Sequence, residues 1–596
     1  MTAHSQSLAN DEAAPPEVAP RTIIDALRRT VERDRQGTAL RTLDGAQTWT
    51  WSEAQDEVER LAAGLSTLGV GREGTVASMM RNRPEYVLAD LAVVANGAAG
   101  FALYATLPPE QIAHQLRNSG ATVVLCEPGF LPSIEAARLE GTAVEHVVVL
   151  DEEEHPDTIS WAALRRAGDE ARPTWTPSAA TEDDVATVIY TSGTTGPSKG
   201  VELTHRNLLA SAEAVNGVVG LMAGDRVISW LPNAHVAERL AHYYLPVRYG
   251  VSVTFCDDPG AVAKALPIVE PHWFFAVPRV WEKLRAAIDV RVSALPADER
   301  GTMRGALARR LDRVRDGRLD DRKRDDDLEL LRPLRTDLGL GAAKSLQAGA
   351  APCPREVIEF FHALGLPLTE IWGMSETTAA GTMSPAATHR IGTVGAALPG
   401  VELRLDADGE ILVRGPVVTR GYRGEPEKTA EAFDDGWFRT GDVGVIADDG
   451  AVTIVDRKKE LIINAAGKNM SPANIEGALK SAGPLIGQAC VIGDARPYVV
   501  ALLVLDPDTT PAWAREAGLE DASMTELATN PVVLDAVERE VQAANRRLAR
   551  VEQIKRFHTV ADEWLPGGVE LTPTMKLKRK PIATRYAAEI DALYRP

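Results

Sequence analysis

Cysteine is scarce in this chain, which holds only four among 596 residues. The four are Cys126, Cys256, Cys353 and Cys490, and no two of them form a CxxC pair. Cysteines spaced so far apart are typical of reduced, buried thiols in a cytosolic protein. We therefore expect no disulfide framework.

Positive charge is also in short supply. The chain carries 65 Lys and Arg against 84 Asp and Glu, which gives a formal net charge of −19. A protein that binds nucleic acid broadly needs a basic face, so we expect no nucleic-acid partner. A local basic pocket for an anionic substrate is still compatible with this balance.

Long apolar runs are missing as well. The most apolar stretch, "VLADLAVVANGAAGFALYA" from Val87, is interrupted by Asp90 and Asn96. A membrane-spanning helix needs about 18 continuous apolar residues, so this stretch predicts a buried helix followed by a strand. The first twenty residues are polar and lack the charged and apolar regions of a secretory signal. We expect a loose tail at 1–20 and a cytoplasmic protein, and leave peripheral contact with the inner face of the membrane open.

The composition that is present, 45% hydrophobic and 25% charged, is typical of a soluble globular protein. Short β-rich runs alternate with helix-length segments, which predicts an α/β fold of mostly parallel sheets flanked by helices. The runs lie at 121–127, 146–151, 185–191, 225–232 and 251–257. Between them, a mixed-charge segment at 296–339 is expected to be an exposed helix or loop.

The pattern changes after Val401, where apolar and polar residues alternate around Asp-Gly turns and predict antiparallel hairpins. Beyond Glu460, helical patterns at about 472–482 and 533–550 accompany two apolar strands. We expect a large domain with a β-rich subdomain at 21–457, and a small, mobile α+β domain at 458–596.

The segment "TSGTTGPSKG", Thr191 to Gly200, has the composition of a phosphate-binding loop. Its glycines let backbone N–H groups approach phosphate oxygens, and its hydroxyls and Lys199 add donors and positive charge. A helical pattern that Thr204 could cap comes next, so we expect a strand, a loop and a helix. The candidate phosphate-binding residues are Thr191, Ser192, Gly193, Thr194, Thr195, Gly196 and Lys199.

A Walker A loop is disfavoured at this segment. That motif requires Gly directly before its Lys and Ser or Thr directly after it. Ser198 and Gly200 stand at those two positions around Lys199. A kinase or motor ATPase of the P-loop type therefore does not fit.

With five later segments, the loop resembles the signature of the adenylate-forming superfamily: acyl-CoA synthetases, adenylation domains of peptide synthetases, and luciferases. The later segments are "GAAP" at 349–352, "IWGMSETT" at 371–378, "GWFRTGDVG" at 436–444, "DRKKELIINAAGKNMSPANIE" at 456–476 and "LTPTMKLKRK" at 571–580. Their order matches that of the family, and the resemblance covers nearly the whole chain from about Thr22. It implies the family's fold, in which a hinge joins a large and a small domain.

The resemblance implies that ATP activates a carboxylate to an acyl-adenylate while pyrophosphate leaves. Two anions must meet, so cationic groups and oriented donors should provide most of the catalysis. Glu376 would hold Mg²⁺, which favours carboxylate oxygen, and Asp442 would accept from both ribose hydroxyls. Lys576 would neutralise charge between the substrate carboxylate and the α-phosphate. The other nucleotide-binding residues implied are Gly349, Ala350, Ala351, Trp372, Gly373, Ser375, Thr377 and Arg457, with Trp372 standing where the family usually has a Tyr platform for adenine.

The same resemblance implies a second step, in which coenzyme A accepts the acyl group. Lys459 lies at the position of the family's hinge, about which the small domain would rotate and withdraw Lys576. Coenzyme A would then enter near Gly467 and Lys468, where glycine permits close approach of the backbone. The co-substrates and cofactor implied are ATP, coenzyme A and Mg²⁺.

The acyl substrate is indicated by "LPNAHVAERL" at 231–240, which resembles the PxxHxxER segment of long-chain and very-long-chain fatty acyl-CoA synthetases. The stretch 100–127 is similar to the bubblegum-type branch, and His235 would flank the acyl entrance or the carboxylate. We therefore predict a long-chain fatty acid–CoA ligase. A ligase for aryl or medium-chain carboxylates, a fatty acyl-AMP ligase and a non-catalytic nucleotide-binding protein stay open as alternatives. No carrier module of usual domain size follows Lys576 in this sequence, and oligomeric state and chain length are left undecided.

Overall fold

The computed structural model describes residues 19–153, 155–191, 197–317, 325–463, 469–519, 522–572 and 575–595. Residues 1–18 of the expected tail lie outside them. The helices of the described residues, labelled α1 to α22 in chain order, are Ile23–Arg33, Trp51–Thr67, Pro84–Ala95, Pro109–Ser119, Leu131–Arg138, Trp161–Ala171, His205–Val219, Val236–Arg239, Leu245–Tyr249, Val262–Val269, Pro278–Ser293, Ala297–Arg315, Asp326–Leu330, Arg332–Asp337, Arg355–Leu364, Pro426–Ala432, Pro472–Lys480, Thr510–Glu516, Met524–Leu527, Pro531–Asn545, Arg579–Arg585 and Ala587–Leu593.

The strands form several sheets. Labelled β1 to β27 in chain order, they are Thr38–Thr42, Thr48–Thr50, Thr75–Met79, Ala99–Ala102, Val123–Cys126, His146–Val149, Ile159–Ser160, Val185–Thr191, Lys199–Thr204, Arg226–Ser229, Ser252–Phe255, Trp273–Ala276, Ser345–Ala348, Leu368–Glu370, Thr382–Met383, Ala396–Ala397, Glu402–Leu405, Glu410–Arg414, Gly421–Tyr422, Phe433–Asp434, Trp437–Ile446, Val452–Arg457, Ile462–Ile463, Asn469–Met470, Ile486–Ile492, Val499–Leu505 and Ile554–Val560. Together with the helices they confirm the predicted α/β fold.

The largest sheet has eight strands in the order β19-β9-β8-β4-β3-β5-β6-β7. The run from β8 to β7 is parallel, whereas β9 and β19 are antiparallel to their neighbours. The stretch from Val87 forms the buried α3 and then β4, as predicted. Within the described part of the chain, no helix combines the length and the apolar character needed to cross a membrane.

The phosphate loop is placed differently from the expectation. It joins two antiparallel strands, β8 and β9, and α7 begins only after β9. The expected strand–loop–helix unit is therefore wrong at this point. Thr204 does cap α7, because its Oγ1 accepts the N–H of Asn207 at 3.2 Å in a reciprocal capping box.

Two further parallel sheets extend the large part of the molecule. One has the order β12-β13-β14, and the other is β10-β11-β1 with β2 added antiparallel. After Val401, β17 pairs with β18 and β21 with β22 in the predicted antiparallel hairpins. These two hairpins join in one sheet, which brings the end of β22 beside the middle of β21.

The C-terminal part has its own mixed sheet, β25-β26-β27, in which β25 is antiparallel and β27 is parallel to β26. Helices α17 and α20 pack on it, close to the predicted positions. Its apolar side chains from Ile462 to Ile554 form a cluster separate from the large core. The mixed-charge segment contains the 19-residue α12, and all four cysteines are free and buried, as expected.

Candidate active site

The described residues on either side of the phosphate loop are anchored to the large sheet and to α4. Thr191 and Lys199 are register partners where β8 and β9 meet. The carbonyl of Ser198 lies 3.0 Å from Nε2 of His114, and its hydroxyl accepts from Gln115 at 3.2 Å. The expected contacts of Ser192, Gly193, Thr194, Thr195 and Gly196 lie outside the described residues.

The candidate adenine-binding turn, residues 349–352, follows β13 directly. A Cβ at Gly349 would lie 2.8 Å from side-chain atoms of both Phe275 and Ile371, so only glycine fits this close approach. Ala350 has φ +67°, a left-handed conformation that is costly for a residue with a side chain. Backbone strain of this kind is concentrated at binding sites. The strained turn continues into Ala351 and Pro352, which are exposed and were expected to face adenine.

The ribose candidate Asp442 is buried and bound from two sides. Its Oδ2 accepts the indole N–H of Trp372 at 2.8 Å, and its Oδ1 pairs with Nε of Arg457 at 2.7 Å. Arg457 is its register partner across β21 and β22. A carboxylate has about four lone-pair directions, so each oxygen keeps one for a ribose hydroxyl.

The metal candidate Glu376 lies on a single 3₁₀ turn, Ser375–Thr377. The turn begins with the Met374 N–H donating to Oγ1 of Thr377 at 3.1 Å. Before it, a Cβ at Gly373 would come within 2.4 Å of a carbonyl oxygen, so glycine is required there too. The turn leaves the Glu376 carboxylate half-buried at the surface of the site.

Glu376 has a hydrogen-bond partner that the sequence did not reveal. The Tyr422 hydroxyl donates to its Oε1 at 3.0 Å, and the Thr419 N–H donates to its carbonyl at 2.7 Å. The ammonium of Lys199 lies 4.6 Å from the centre of the Tyr422 ring. The segment "TRGYR" at 419–423 therefore belongs to the site, although its only sequence signal is Gly421 beside an aromatic residue.

Lys576 reaches the same place from the C-terminal part. Its N–H donates to Oγ1 of Thr572 at 3.0 Å, and Leu571 and Leu577 form a bridge that closes the turn. Lys576 is exposed to solvent as a residue, although protein atoms lie near its ammonium. Loss of hydration around the ammonium lowers its pKa, and the charge of Arg457 lowers the pKa further.

The charges that oppose this shift show what Lys576 faces. Asp442 and Glu376 both favour its charged form, as does Glu460. Its charge in turn lowers the pKa of His235. Lys576, Glu376, Asp442 and His235 are thus brought together, although they are spread over more than half of the chain.

His235 begins α8 and is neutral at physiological pH. Its Nδ1 accepts the N–H of Ala237 at 3.2 Å, which leaves the ring proton on Nε2. Burial, and then the charge of Lys576, lowers the pKa of His235 to about 4. The site therefore has a neutral N–H donor that is close enough to Lys576 to be affected by its charge.

A buried polar network that the sequence did not predict supports the segment of His235. The Glu238 carboxylate accepts from the Ser229 hydroxyl at 2.5 Å and from the Leu231 N–H at 3.0 Å. Asn82 donates to the same carboxylate at 3.1 Å, and Nδ1 of His242 lies 2.6 Å from it. The "ER" of the segment is thus structural, since Arg239 is likewise buried and bound to Asp90.

The hinge candidate Lys459 is exposed in the turn that follows β22. The carbonyl of Arg457 accepts the N–H groups of Glu460 and Leu461 at 2.9 and 3.0 Å. Lys458 is tied down, because its ammonium lies 3.1 Å from Oε2 of Glu410. The expected coenzyme A contacts at Gly467 and Lys468 lie outside the described residues.

Two family descriptions match this chain. The description AMP-binding enzyme matches residues 27–423, and AMP-binding enzyme C-terminal domain matches residues 459–596. The chain is 35% identical over 571 residues to the long-chain-fatty-acid–CoA ligase FadD15 of Mycobacterium tuberculosis (strain ATCC 25618 / H37Rv), covering 93% of this chain and 94% of that protein. It is 48% identical over 455 residues to a protein of the same strain provisionally named fatty-acid–CoA ligase fadD11, covering 74% and 79%.

The fold is also found among solved structures. It is similar to that of the o-succinylbenzoate coenzyme A synthetase MenE of Bacillus subtilis in complex with ATP and magnesium ion. The TM-score is 0.66 at 22% sequence identity, over 93% of this chain and 98% of that one. At this identity the likeness concerns the fold, and the chemistry must be argued from the side chains.

Proposed function

The chain belongs to the AMP-binding enzyme family, and we propose that it activates a long-chain fatty acid with ATP and ligates it to coenzyme A. The single observation that carries the proposal is the meeting of Lys576 with Glu376, Asp442 and His235 in one site. The relatives named as fatty-acid–CoA ligases at 48% and 35% identity support the substrate class. The products are acyl-CoA, AMP and pyrophosphate.

In the first step, an oxygen of the fatty acid carboxylate attacks the α-phosphorus of ATP and pyrophosphate leaves. Both reactants are anions, so the main task of the site is to offset their repulsion. Lys576 neutralises charge between the carboxylate and the α-phosphate. The Nε2–H of His235 is a donor for the carboxylate, and Lys199 holds the phosphates that leave.

The nucleoside is held by the turn after β13, which contacts adenine, and by Asp442, which is paired with Arg457 and binds the ribose. The strained turn at Gly349 to Ala351 and the indole of Trp372 form the adenine side. Asp442 accepts from the ribose hydroxyls with the lone pairs that Trp372 and Arg457 leave open. Ser375 and Thr377 border the α-phosphate on the metal side.

Glu376 fits a magnesium ion. Among the described residues it has no ion-pair partner, and only its Oε1 is engaged, by Tyr422. A half-buried carboxylate with one oxygen to spare is a suitable ligand for a hard cation. When bound, Mg²⁺ supplies neutralisation of charge on the phosphate oxygens of ATP.

In the second step, the thiolate of coenzyme A attacks the acyl carbonyl and AMP leaves. We propose that the part after Lys459 rotates about this exposed turn, which removes Lys576 and opens a path for the thiol. Gly467 and Lys468 would border that path. Collection of the lipid substrate at the inner face of the membrane stays a prediction.

The test compares the two steps across substrates. Pyrophosphate release and thioester formation would be measured with saturated fatty acids from medium to very long chain and with benzoate. We expect both signals to be highest for long chains. Adenylation without thioester would instead indicate a fatty acyl-AMP ligase, and preference for benzoate would contradict the fatty acid assignment.

A further inference from the structure

Tyr422 lies between the two groups of the site that carry opposite charges. Its hydroxyl donates to Oε1 of Glu376 at 3.0 Å, and its ring lies under the Lys199 ammonium at 4.6 Å. The two contacts use different parts of one side chain. Among the described residues, Lys199 and Glu376 form no ion pair with each other.

The position of Tyr422 is set by the sheet, independently of either charge. Tyr422 pairs with Val201 where β19 joins the edge of β9. Val201 follows Lys199 by two residues on β9, so the two side chains are neighbours at this edge of the sheet. Its N–H donates to Oγ1 of Thr429 at 3.0 Å. Gly421 has φ +144°, and a Cβ there would come within 2.5 Å of the Thr429 side chain.

The same segment also holds the turn that carries Glu376. The Thr419 N–H donates to the Glu376 carbonyl, and the Thr419 hydroxyl donates to the carbonyl of Glu202 on β9 at 2.6 Å. Backbone and side chain of Glu376 are thus both fixed by residues 419–422. A ring so anchored is a rigid spacer.

The physical need for a spacer follows from charge. An ammonium and a carboxylate on neighbouring elements attract each other and would pair directly when ATP is absent. Such a pair would occupy the groups that phosphate and metal require. An aromatic ring satisfies the ammonium through its electron-rich face, and a phenol satisfies one carboxylate oxygen while leaving the other open. Burial and the neighbouring Glu376 raise the pKa of Tyr422, which keeps the phenol a donor.

We infer that Tyr422 is a positioning residue for adenylation, which separates Lys199 from Glu376 and orients the free oxygen of Glu376 towards the metal side of Mg·ATP. This inference rests on the proposed role of Glu376. It predicts that the hydroxyl and the ring have separable effects. The hydroxyl should govern the gain in ATP affinity that Mg²⁺ provides, and the ring should govern affinity for ATP itself.

The experiment measures the dissociation constant of ATP calorimetrically, with Mg²⁺ and with a chelator, for the full chain. In Tyr422→Phe we expect the Mg²⁺-dependent gain to fall by ~10-fold, because a hydrogen bond to a charged group is lost. Affinity for metal-free ATP should stay within about twofold, because the ring is retained. In Tyr422→Leu both quantities should fall.

The matched control is Tyr249→Phe, since Tyr249 also carries a cation, Arg248, 5.1 Å over its ring but lies at the end of α9. It should leave both constants unchanged. A Tyr422→Phe protein with an unchanged Mg²⁺-dependent gain would overturn the inference. So would an equal loss of both affinities, which is what a merely structural role produces.

Glu376→Gln separates this inference from the proposed function. If Glu376→Gln removes the Mg²⁺-dependent gain while Tyr422→Phe keeps it, only the role of Tyr422 is wrong. If Glu376→Gln itself keeps the gain, the metal role of Glu376 is wrong and the inference about Tyr422 falls with it.

Discussion

At the scale of single residues, the site holds a cation near two carboxylates that already have other partners. Lys576 faces Asp442 and Glu376, yet it makes no ion pair of 4.0 Å or less with a described residue. Its ammonium therefore lies near two carboxylates without forming a direct ion pair with either. An anionic substrate entering this space is attracted by a cation whose competing partners are already bound to Arg457 and Tyr422.

Replacement of Lys576 should separate the two half-reactions. In Lys576→Ala, pyrophosphate release should fall by ~100-fold to 1,000-fold, the usual effect of removing a preorganised electrostatic group. Thioester formation from pre-made acyl-adenylate should be spared. Rapid-quench assays of each step would measure this.

Lys580→Ala is the control for that variant, since Lys580 is exposed on α21 four residues further on. It should leave both steps within about twofold of the wild-type rates. Equal loss of both steps in Lys576→Ala would contradict the two-orientation mechanism.

A second residue, His205, links acid pH to stability. It is buried at the start of α7, its Nδ1 accepts the Ile23 N–H at 3.2 Å, and burial lowers its pKa to about 4 from 6.5. The unfolded chain therefore binds the proton first as pH falls from 7. Stability should drop between pH 7 and 5, by about 2 kcal/mol from this histidine.

His205→Asn keeps an acceptor near the Nδ1 position but cannot titrate. Its free energy of unfolding, measured in urea, should lose about 2 kcal/mol less than the wild type between pH 7 and pH 5. His558→Asn, at an exposed position on β27, is the control. An identical pH dependence in His205→Asn and the wild type would contradict this assignment.

At the scale of elements, the helices, hairpins and caps that depend on local sequence patterns were predicted, whereas a strand that depends on pairing with distant strands was not. The helix and strand after Val87, the hairpins after Val401 and the cap at Thr204 follow from periodicity and turn chemistry within a few residues. In contrast, no strand was predicted between the loop and the helix, yet "KGVELT" forms β9 there. Its strand conformation depends on pairing with β8 and with β19, which lies more than 200 residues away.

The same limit explains which site residues the sequence revealed. Gly349, Glu376, Asp442 and Lys576 lie in ordered motifs and were candidates. Tyr422 was not, because the two-residue β19 has no periodicity and its contacts are all non-local. Similarly, the N-cap of α2 is Thr50 and not the neighbouring Ser52, because Oγ1 of Thr50 accepts the N–H of Glu53 at 3.2 Å.

The end of β13 shows how an element limits substitution. In Gly349→Ala the new Cβ would meet Phe275 and Ile371 at 2.8 Å, so the adenine turn must shift. We expect a loss of stability of about 1–3 kcal/mol, as for overpacking, together with weaker ATP binding. Urea denaturation and calorimetry would measure the two effects.

Gly341→Ala is the matched control, because a Cβ at Gly341 would meet nothing within 4 Å. It lies before the same strand and should leave stability within about 0.5 kcal/mol and ATP affinity unchanged. Equal effects of the two variants would show that close packing at Gly349 does not hold the turn.

At the scale of the whole molecule, charge pairs join the C-terminal part to the large part. Arg279 on α11 pairs with the buried Asp506, and one turn further on Lys283 pairs with Asp508 at 2.7 Å. These pairs form while Lys576 is in the site. A rotation about Lys459 that withdraws Lys576 would have to break them, so they favour the orientation for adenylation.

This predicts that Arg279→Ala slows adenylation more than thioester formation. Loss of a pair worth about 1 kcal/mol should reduce pyrophosphate release by up to about fivefold, because the orientation with Lys576 inserted becomes less populated. Thioester formation from pre-made acyl-adenylate should not fall.

Arg291→Ala is the control, since Arg291 lies on the same helix but pairs with Asp337 of the large part. If both variants slowed adenylation equally, the effect would come from α11 itself; if Arg279→Ala slowed only thioester formation, the pair would favour the other orientation.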